Sequence, residues 1–326
     1  MSNLETSPAE VTTAGRERPA SAAAEILEPR LVPLGGPRAM TVRRTLPQRR
    51  RSLIGGWCFA DHYGPDRVAS TGGMRVPPHP HSQLQTVSWL FTGEIEHRDS
   101  AGHHALVRPG ELNLMTAGRG ISHSEVSTAG TTVLHGAQLW VALPSAARFT
   151  GPGFEHYVPG PVPGPGFTAR VFLGSLLGSA SPVTAYSPLV GAEITIEPGQ
   201  RAEIAVDPAF EHGVLADTGA VMLNGTEVAA ARLGYLGPGH TAIELRTAAA
   251  AARVLLLGGE PLGEQIVMWW NFIGRSHQEI AGYRAAWQAE IAGRAATPGP
   301  FGLPADDPFP PIPAPPLPNV TLRPRG

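Results

Sequence analysis

Apolar residues recur at every second position over short runs of this chain, and the runs end at Gly or Pro. "TVSWLFTGEIEHRDSAGHHALVRPGELNLMTAG" is a series of strand-length pieces broken at Gly93, Ser100-Ala101-Gly102 and Pro109-Gly110. Such alternation marks strands with one buried face. The rhythm returns downstream. "GAEITIEPGQRAEIAVDP" alternates about Pro198-Gly199, and "HGVLADTGAVMLNGTEVAAARLGYLGPGHTAIELRT" reads strand, "NG", strand, "GPG", strand. Short strands with regular turn signals predict an all-β sandwich or barrel, and the repeated punctuation predicts two of them.

Changes in texture set the boundaries. Residues 1–30 are rich in Ala, Ser, Thr and Glu without periodicity and read as a disordered arm. Residues 31–150 form the first barrel, and "PGFEHYVPGPVPGPGF" marks a linker over 151–168. The second barrel spans 169–270, and 271–326 hold a helix and a proline-rich tail. For the helix, Ser276 and Glu279 make a capping box, and Ile280, Tyr283, Trp287 and Ile291 recur at helical spacing. Phe301, Phe309, Ile312 and Leu317 give the tail apolar anchors, so it is expected to lie as a strap on its own domain rather than serve as a ligand for an aromatic groove.

Composition narrows the function. A net charge of −2 gives no field toward nucleic acid or membrane. All 25 cationic residues are arginine, which excludes a Schiff-base or P-loop lysine. The single cysteine, Cys58, forbids an internal disulfide and favours a cytoplasmic location. The N-terminus lacks the pattern of a signal peptide, and no apolar run is long enough to span a bilayer. There is no G-x-S-x-G, no C-x-x-C and no strand leading into G-x-G-x-x-G. The arginine cluster from Arg43 to Arg51 reads as a solvated edge rather than a phosphate site, because aromatic stacking partners are missing nearby.

The histidines carry the candidate chemistry. In a strand, positions i and i+2 face one side. His79 and His81 in "HPHSQLQT" are such a pair, and Pro80 between them suits a strand edge. His123 and Glu125 in "GRGISHSEVS" repeat the spacing. Three imidazoles and one carboxylate leave open positions on a first-row metal, the arrangement of a catalytic site. His97 is expected on a solvated hairpin face beside Glu96, Arg98 and Asp99, and His103 and His104 on the surface. His62, His135, His156, His212, His240 and His277 stand alone in the sequence. Trp89, Phe91, Leu114 and Met115 are candidates for an apolar pocket wall or for plain barrel core.

The spacing Gly73, His79-x-His81, Gln85, Gly93 resembles the first cupin motif, with Gln85 where a glutamate is usual. "DHYGP", "HPH…QTVSWLFTGEIEHRDSAG" and "PGELNLMTAGRGISHSE" together resemble the pirin family, and "WWNFIGRSHQEI" and "IPAPPLP" resemble its bacterial branch. The resemblance covers residues 38–318. It implies a bicupin: two jelly-roll β-barrels packed face to face, with a metal only in the first. It further implies that His79, His81, His123 and Glu125 hold one divalent metal, iron in first place, with Zn, Ni, Cu or Mn as alternatives. Gln85 is then expected beside the ligands, where the missing negative charge raises the metal's potential. The implied activity is that of a quercetin 2,3-dioxygenase acting on a flavonol or related enol-bearing aromatic with dioxygen, Glu125 taking the enol proton. The alternatives are a metal-dependent, redox-responsive regulator working through a protein partner, and a bicupin isomerase. The resemblance also implies a monomer.

Overall fold

The computed structural model describes residues 23–34, 40–295, 299–324 and 326. The first half runs β1 (Glu25–Leu27), β2 (Arg30–Leu34), β3 (Met40–Leu46), β4 (Trp57–Arg67), α1 (Val68–Thr71), β5 (Arg75–His81), β6 (Leu84–Thr92), β7 (Ile95–Asp99), β8 (His104–Val107), β9 (Leu112–Thr116), β10 (Ile121–Ser127), β11 (Val133–Ala142) and β12 (Gly153–Tyr157). The second half runs β13 (Val162–Gly164), β14 (Phe167–Leu176), β15 (Ser179–Ala180), β16 (Leu189–Ile196), β17 (Arg201–Ala205), β18 (Glu211–Thr218), β19 (Val221–Leu223), β20 (Thr226–Val228), β21 (Leu233–Leu236), β22 (Ala242–Arg246) and β23 (Ala252–Gly259). A hairpin of β24 (Val267–Trp269) and β25 (Phe272–Gly274) then leads into α2 (His277–Ile291).

Each half closes a large sheet over a four-stranded one. In the first barrel the orders are β12-β9-β6-β11-β4-β3-β2 and β5-β10-β7-β8. In the second they are β1-β21-β18-β23-β16-β14-β13 and β17-β22-β19-β20. The large sheets pack face to face. Their shared core joins Trp57, Val87, Trp89, Leu114 and Leu139 of one barrel to Phe172, Leu173, Leu215 and Leu257 of the other. Trp89 stacks on Phe172 with ring centroids 4.6 Å apart. Trp57 donates its indole N–H across the seam to the carbonyls of Val190 (3.2 Å) and Gly258 (3.1 Å). The fold is therefore the all-β bicupin with a C-terminal helix.

Two boundaries and the arginine cluster differ from the sequence reading. The stretch 151–168 is not a free linker: it holds β12 and β13, each the edge strand of its own barrel's large sheet. Edge strands tolerate Pro and Gly because half of their backbone groups need no partner. Residues 1–22 of the expected arm lie outside the described residues. The rest of it holds β1, which pairs Glu25 with Tyr235 and so joins the second barrel. Within the arginine cluster, Arg44 is buried, and its guanidinium makes a bidentate pair with Asp61 at 2.6 and 2.7 Å.

The helix begins where the sequence places it. Ser276 Oγ accepts from the Glu279 amide at 3.2 Å, and Ile280 and Trp287 are buried. Glu279 does not reach back to the Ser276 amide but takes the Arg275 amide at 2.8 Å. The tail is the expected strap. Phe301 is buried against Phe272, Tyr283 and Trp287, and the Trp287 indole donates to the Ile312 carbonyl at 2.8 Å. From there the tail crosses the outer face of β5 and β10: the Ile312 amide donates to the Pro78 carbonyl at 2.8 Å, and Ser122 Oγ donates to the Gly302 carbonyl at 2.7 Å.

Candidate metal centre

The inner face of the first barrel is apolar at both ends and polar in the middle. Along β6 it reads Leu84, Thr86, Ser88, Leu90; along β4, Phe59, Asp61, Tyr63; along β11, Leu134, Gly136, Gln138, Trp140. The two ends belong to separate apolar clusters, one with Tyr63, Leu90 and Leu134, the other with Phe59, Leu84 and Trp140. The two-residue alternation of each strand thus builds a polar band that water does not reach.

β5 and β10 supply the histidines to that band. They pair antiparallel with His79 opposite His123 and His81 opposite Ile121. One register places His79, His81 and His123 on one face, and all three are 0% exposed. The Nε2 atoms of His79 and His81 lie 3.1 Å apart, as do those of His81 and His123. A β-bulge between His123 and Glu125 shifts the register. Glu125, also 0% exposed, comes within 4.8 Å of His123 and His97, while His79, His81 and His123 form their own group at that limit.

The far nitrogens decide the tautomers. His79 Nδ1 donates to the Pro77 carbonyl at 2.8 Å and His81 Nδ1 to the Asn271 carbonyl at 3.1 Å. His123 Nδ1 meets His97 Nδ1 at 3.3 Å, and His97 Nε2 meets the Asp99 carboxylate at 3.2 Å. His97 Nε2–H donates to the Asp99 carboxylate, so His97 Nδ1 is left as an acceptor for His123 Nδ1–H. Each of the three histidines therefore carries its proton on Nδ1, and three Nε2 lone pairs face one another. Burial pushes the His79 imidazole down to about 3 and those of His81 and His123 well below the usual range, so all three are neutral near pH 7.

The His81 lone pair stands 3.1 Å from each of the other two, and lone pairs this close repel unless a cation lies between them. With metal–nitrogen bonds of about 2.1 Å, ligands at right angles stand about 3.0 Å apart and tetrahedral ones about 3.4 Å. The two spacings about His81 Nε2 are of the size expected for nitrogens that would share one first-row cation, and the Glu125 carboxylate lies beside His123.

Ser88 Oγ is 3.2 Å from Glu125 Oε1 and 2.9 Å from Gln138 Oε1. One hydroxyl proton cannot serve both oxygens. Among the described residues Gln138 Nε2 is buried without a partner; exchanging its amide O and N lets Nε2 donate to Ser88 and leaves the Ser88 proton for Glu125. The Tyr63 hydroxyl is also buried without a partner, and burial, followed by the charges of Glu125 and Asp61, holds it well above its ordinary pKa. Space for this hydroxyl comes from Gly136, where a Cβ would stand 2.8 Å from it.

Several sequence expectations need correction. Gln85 is not beside the histidines. It shares the outer face of β6 with Val87 and Trp89, and its Nε2 donates at 3.0 Å to Thr116 Oγ1 and to the Thr184 carbonyl, toward the other barrel. Cupin-motif spacing suggested the opposite, but the two-residue period decides which face it takes. His97 is buried at 3% exposure, not solvated; the buried positions of β7 are Ile95, His97 and Asp99, and that alternation was visible in the sequence. Trp89 and Leu114 belong to the seam between barrels, and Phe91 packs against it, whereas Met115 packs with Leu84 and Trp140 at one end of the polar band.

A second cluster was not legible at all. His62 and His135 both place Nε2 on Asp217 Oδ1, at 2.7 and 2.6 Å, and Arg253 Nε donates to Oδ2 at 2.6 Å. Arg43 Nε donates to His62 Nδ1 at 3.3 Å. That bond fixes the His62 proton on Nε2, so this group is an ionic latch between barrels rather than a set of free metal lone pairs.

The chain matches known proteins along most of its length. Residues 39–141 match the Pirin family model, and residues 191–293 match the model of the Pirin C-terminal cupin domain. A Pseudomonas aeruginosa protein named provisionally as a quercetin 2,3-dioxygenase is 44% identical over 79% of this chain and 82% of its own. A pirin-like protein of Caulobacter vibrioides is 37% identical over 76% of this chain and 88% of its own. A crystal structure of quercetin 2,3-dioxygenase from Acinetobacter baumannii superposes with a TM-score of 0.85 at 37% identity, covering 93% of this chain and 98% of that one. Among the described residues, no helix is long and apolar enough to cross a membrane.

Proposed function

This chain belongs to the pirin family, and from that premise we propose that its first barrel is a dioxygenase site for a flavonol or similar enol-bearing aromatic. His79, His81 and His123, with Glu125 as the carboxylate, would hold one divalent first-row metal, iron in first place. The observation that carries this reading is the set of three converging Nε2 atoms whose Nδ1 protons are already committed. The P. aeruginosa and A. baumannii names supply the reaction class. A bound ion supplies Lewis acidity that lowers the pKa of a chelating hydroxyl.

The chain's own groups do the rest. Glu125 accepts the enol proton as general base. Ser88 donates to its carboxylate and keeps it oriented. Tyr63 O–H stands in the same polar band and offers a hydrogen bond to a substrate oxygen, while Gln138 holds Ser88. Trp140, edge-on to His81 at 5.1 Å and stacked on Phe59 at 4.0 Å, closes one end of the band against water.

The test uses full-length protein with its metal measured by elemental analysis and quercetin loss followed under oxygen. Glu125→Gln should retain the fold and lose turnover at least a hundredfold; His79→Ala should lose both metal and turnover. Full turnover in His79→Ala removes the proposal.

A further inference from the structure

A cavity of about 540 Å³ opens at one end of the second barrel. Its apolar walls include Leu176, Val190 and Phe210. Among the described residues, two polar side chains on its wall have no partner: both ring nitrogens of His212, and Ser187 Oγ. His212 is 1% exposed, so neither water nor a ligand in the cavity reaches the ring nitrogens until the lining side chains shift. An imidazole buried with neither nitrogen bonded is destabilising unless something fills the role.

The backbone makes room for that ring. β18 pairs His212 with Gly258 of β23. A Cβ at Gly258 would come within 3.0 Å of His212 Cδ2 and 2.8 Å of Val190 Cγ1. The alternation of β18 places His212 on the inner face with Val214 and Ala216, which belong to the barrel core. The imidazole therefore faces the barrel interior and not the seam.

We propose that the second barrel carries its own small-molecule site, in which the His212 imidazole and Ser187 hydroxyl receive the hydroxyl or carbonyl of a neutral, largely apolar ligand. The charge of the lining selects against anions: Asp207 stands at the cavity and, among the described residues, no arginine lines it. Burial, helped by nearby His240, pushes His212 down to about 4; the ring is neutral near pH 7 and offers one N–H and one lone pair. A single histidine does not hold a first-row cation, so the ligand is organic. This site is independent of the chemistry in the first barrel.

The probe is 2-naphthol, with naphthalene and 2-naphthoate as comparisons, titrated into the full-length, metal-loaded protein labelled with ¹⁵N-histidine. An eleven-heavy-atom ligand in a pocket of this kind should bind with Kd of about 0.1–1 mM. The His212 ring nitrogens should shift on binding, and naphthalene and 2-naphthoate should each bind about tenfold more weakly. His212→Phe, which keeps an aromatic ring in place, should weaken 2-naphthol about tenfold, and Ser187→Ala severalfold. His79→Ala should leave this binding unchanged. Binding lost in His79→Ala but kept in His212→Phe overturns the site, because the probe then sits in the first barrel. So does saturation without movement of the His212 resonances in the unmutated protein, a measurement that does not depend on any variant folding. No binding at 2-naphthol's solubility limit also overturns it, and 2-naphthoate binding as tightly as 2-naphthol overturns the charge selection.

Discussion

Replacing His97 tests the tautomer argument on which the candidate metal centre rests. His97 is fixed from behind: its Nε2 donates to Asp99 Oδ2, while Asp99 Oδ1 is held by the amides of Ala101 (2.9 Å) and His103 (3.0 Å). In front, His97 Nδ1 is the acceptor that keeps the His123 proton on Nδ1. His97→Leu removes the acceptor and strands a buried N–H. A neutral hydrogen bond contributes about 0.5–1.5 kcal/mol, and an unpaired buried donor costs about 1–3 kcal/mol. The His123 ring escapes part of this by moving its proton to Nε2, where it blocks the metal lone pair. Metal affinity should therefore fall about 10- to 100-fold, or roughly 1.4–2.7 kcal/mol. His97→Gln, whose side-chain carbonyl can still accept, should recover most of the loss. The assay is equilibrium competition against a chelator with full-length protein, after circular dichroism establishes that each variant is folded. An unchanged affinity in His97→Leu refutes the chain Asp99–His97–His123. Complete loss of metal in both variants refutes it differently, by making His97 a ligand in its own right alongside Glu125.

Three further outcomes follow from other contacts. Burial alone pushes the Asp217 carboxyl up, but hydrogen bonds from His135 and His62 outweigh it, so its folded pKa lies below the ordinary value. A depressed carboxylate stabilises the fold above its unfolded pKa of about 3.9 and loses that contribution as pH falls below it. Urea midpoints should drop between about pH 4 and pH 3 in the parent chain and drop less steeply in Asp217→Asn; equal slopes would contradict the latch. Asp61→Leu removes the bidentate carboxylate from the Arg44 guanidinium, 1% exposed and 4.3 Å above the Phe59 ring, and should cost about 3–5 kcal/mol, most of it recovered in the double variant Arg44→Met/Asp61→Leu; additive losses in a double-mutant cycle would show that the pair is not coupled. Ending the chain at residue 295 removes the buried Phe301 and Leu322 and the Ser122 and Ile312 contacts, and should destabilise the protein by roughly 3–6 kcal/mol. Hydrogen exchange should then rise first in β5 and β10, and uniform exchange across both barrels would show that the tail does not brace the histidine strands.

What the sequence disclosed depended on how local the signal was. The convergence of His79, His81 and His123 was legible because His79 and His81 lie two residues apart on one strand and strand pairing sets His79 opposite His123, whereas the bulge before Glu125 was not. His97 was hidden by its neighbours: Glu96 and Arg98 suggested a solvated segment, but they occupy the outer face while Ile95, His97 and Asp99 point in. Gln85 misled in the opposite sense, because motif spacing says nothing of the face on which a side chain emerges. The latch had no local signal, since Asp217 lies 82 residues from His135 and 155 from His62, in the other barrel. The strands within the expected linker were obscured by Pro and Gly, which stop central strands but not edge strands.

The two barrels share one architecture and divide the work through what fills them. In the second barrel the four-stranded sheet turns Ala202, Ile204, Val221, Leu223, Ile243 and Leu245 inward, and these join an apolar core. In the first, the same layer turns His79, His81, His123 and Glu125 inward, and desolvation acts against charging any of the three imidazoles. A polar band of this kind weakens the barrel that contains it. The apolar clusters at its two ends, the seam against the second barrel and the tail across β5 and β10 offset that weakness from outside the band. Desolvation then becomes useful rather than merely unfavourable. It holds the imidazoles neutral near pH 7, so a cation entering the band has no proton to displace from any Nε2. The side chains need not be reoriented either, because the carbonyls of Pro77 and Asn271 and the ring of His97 already fix them. The same rigidity makes the candidate centre sensitive to those second partners, which is why a leucine at position 97, touching no ion, is expected to loosen one.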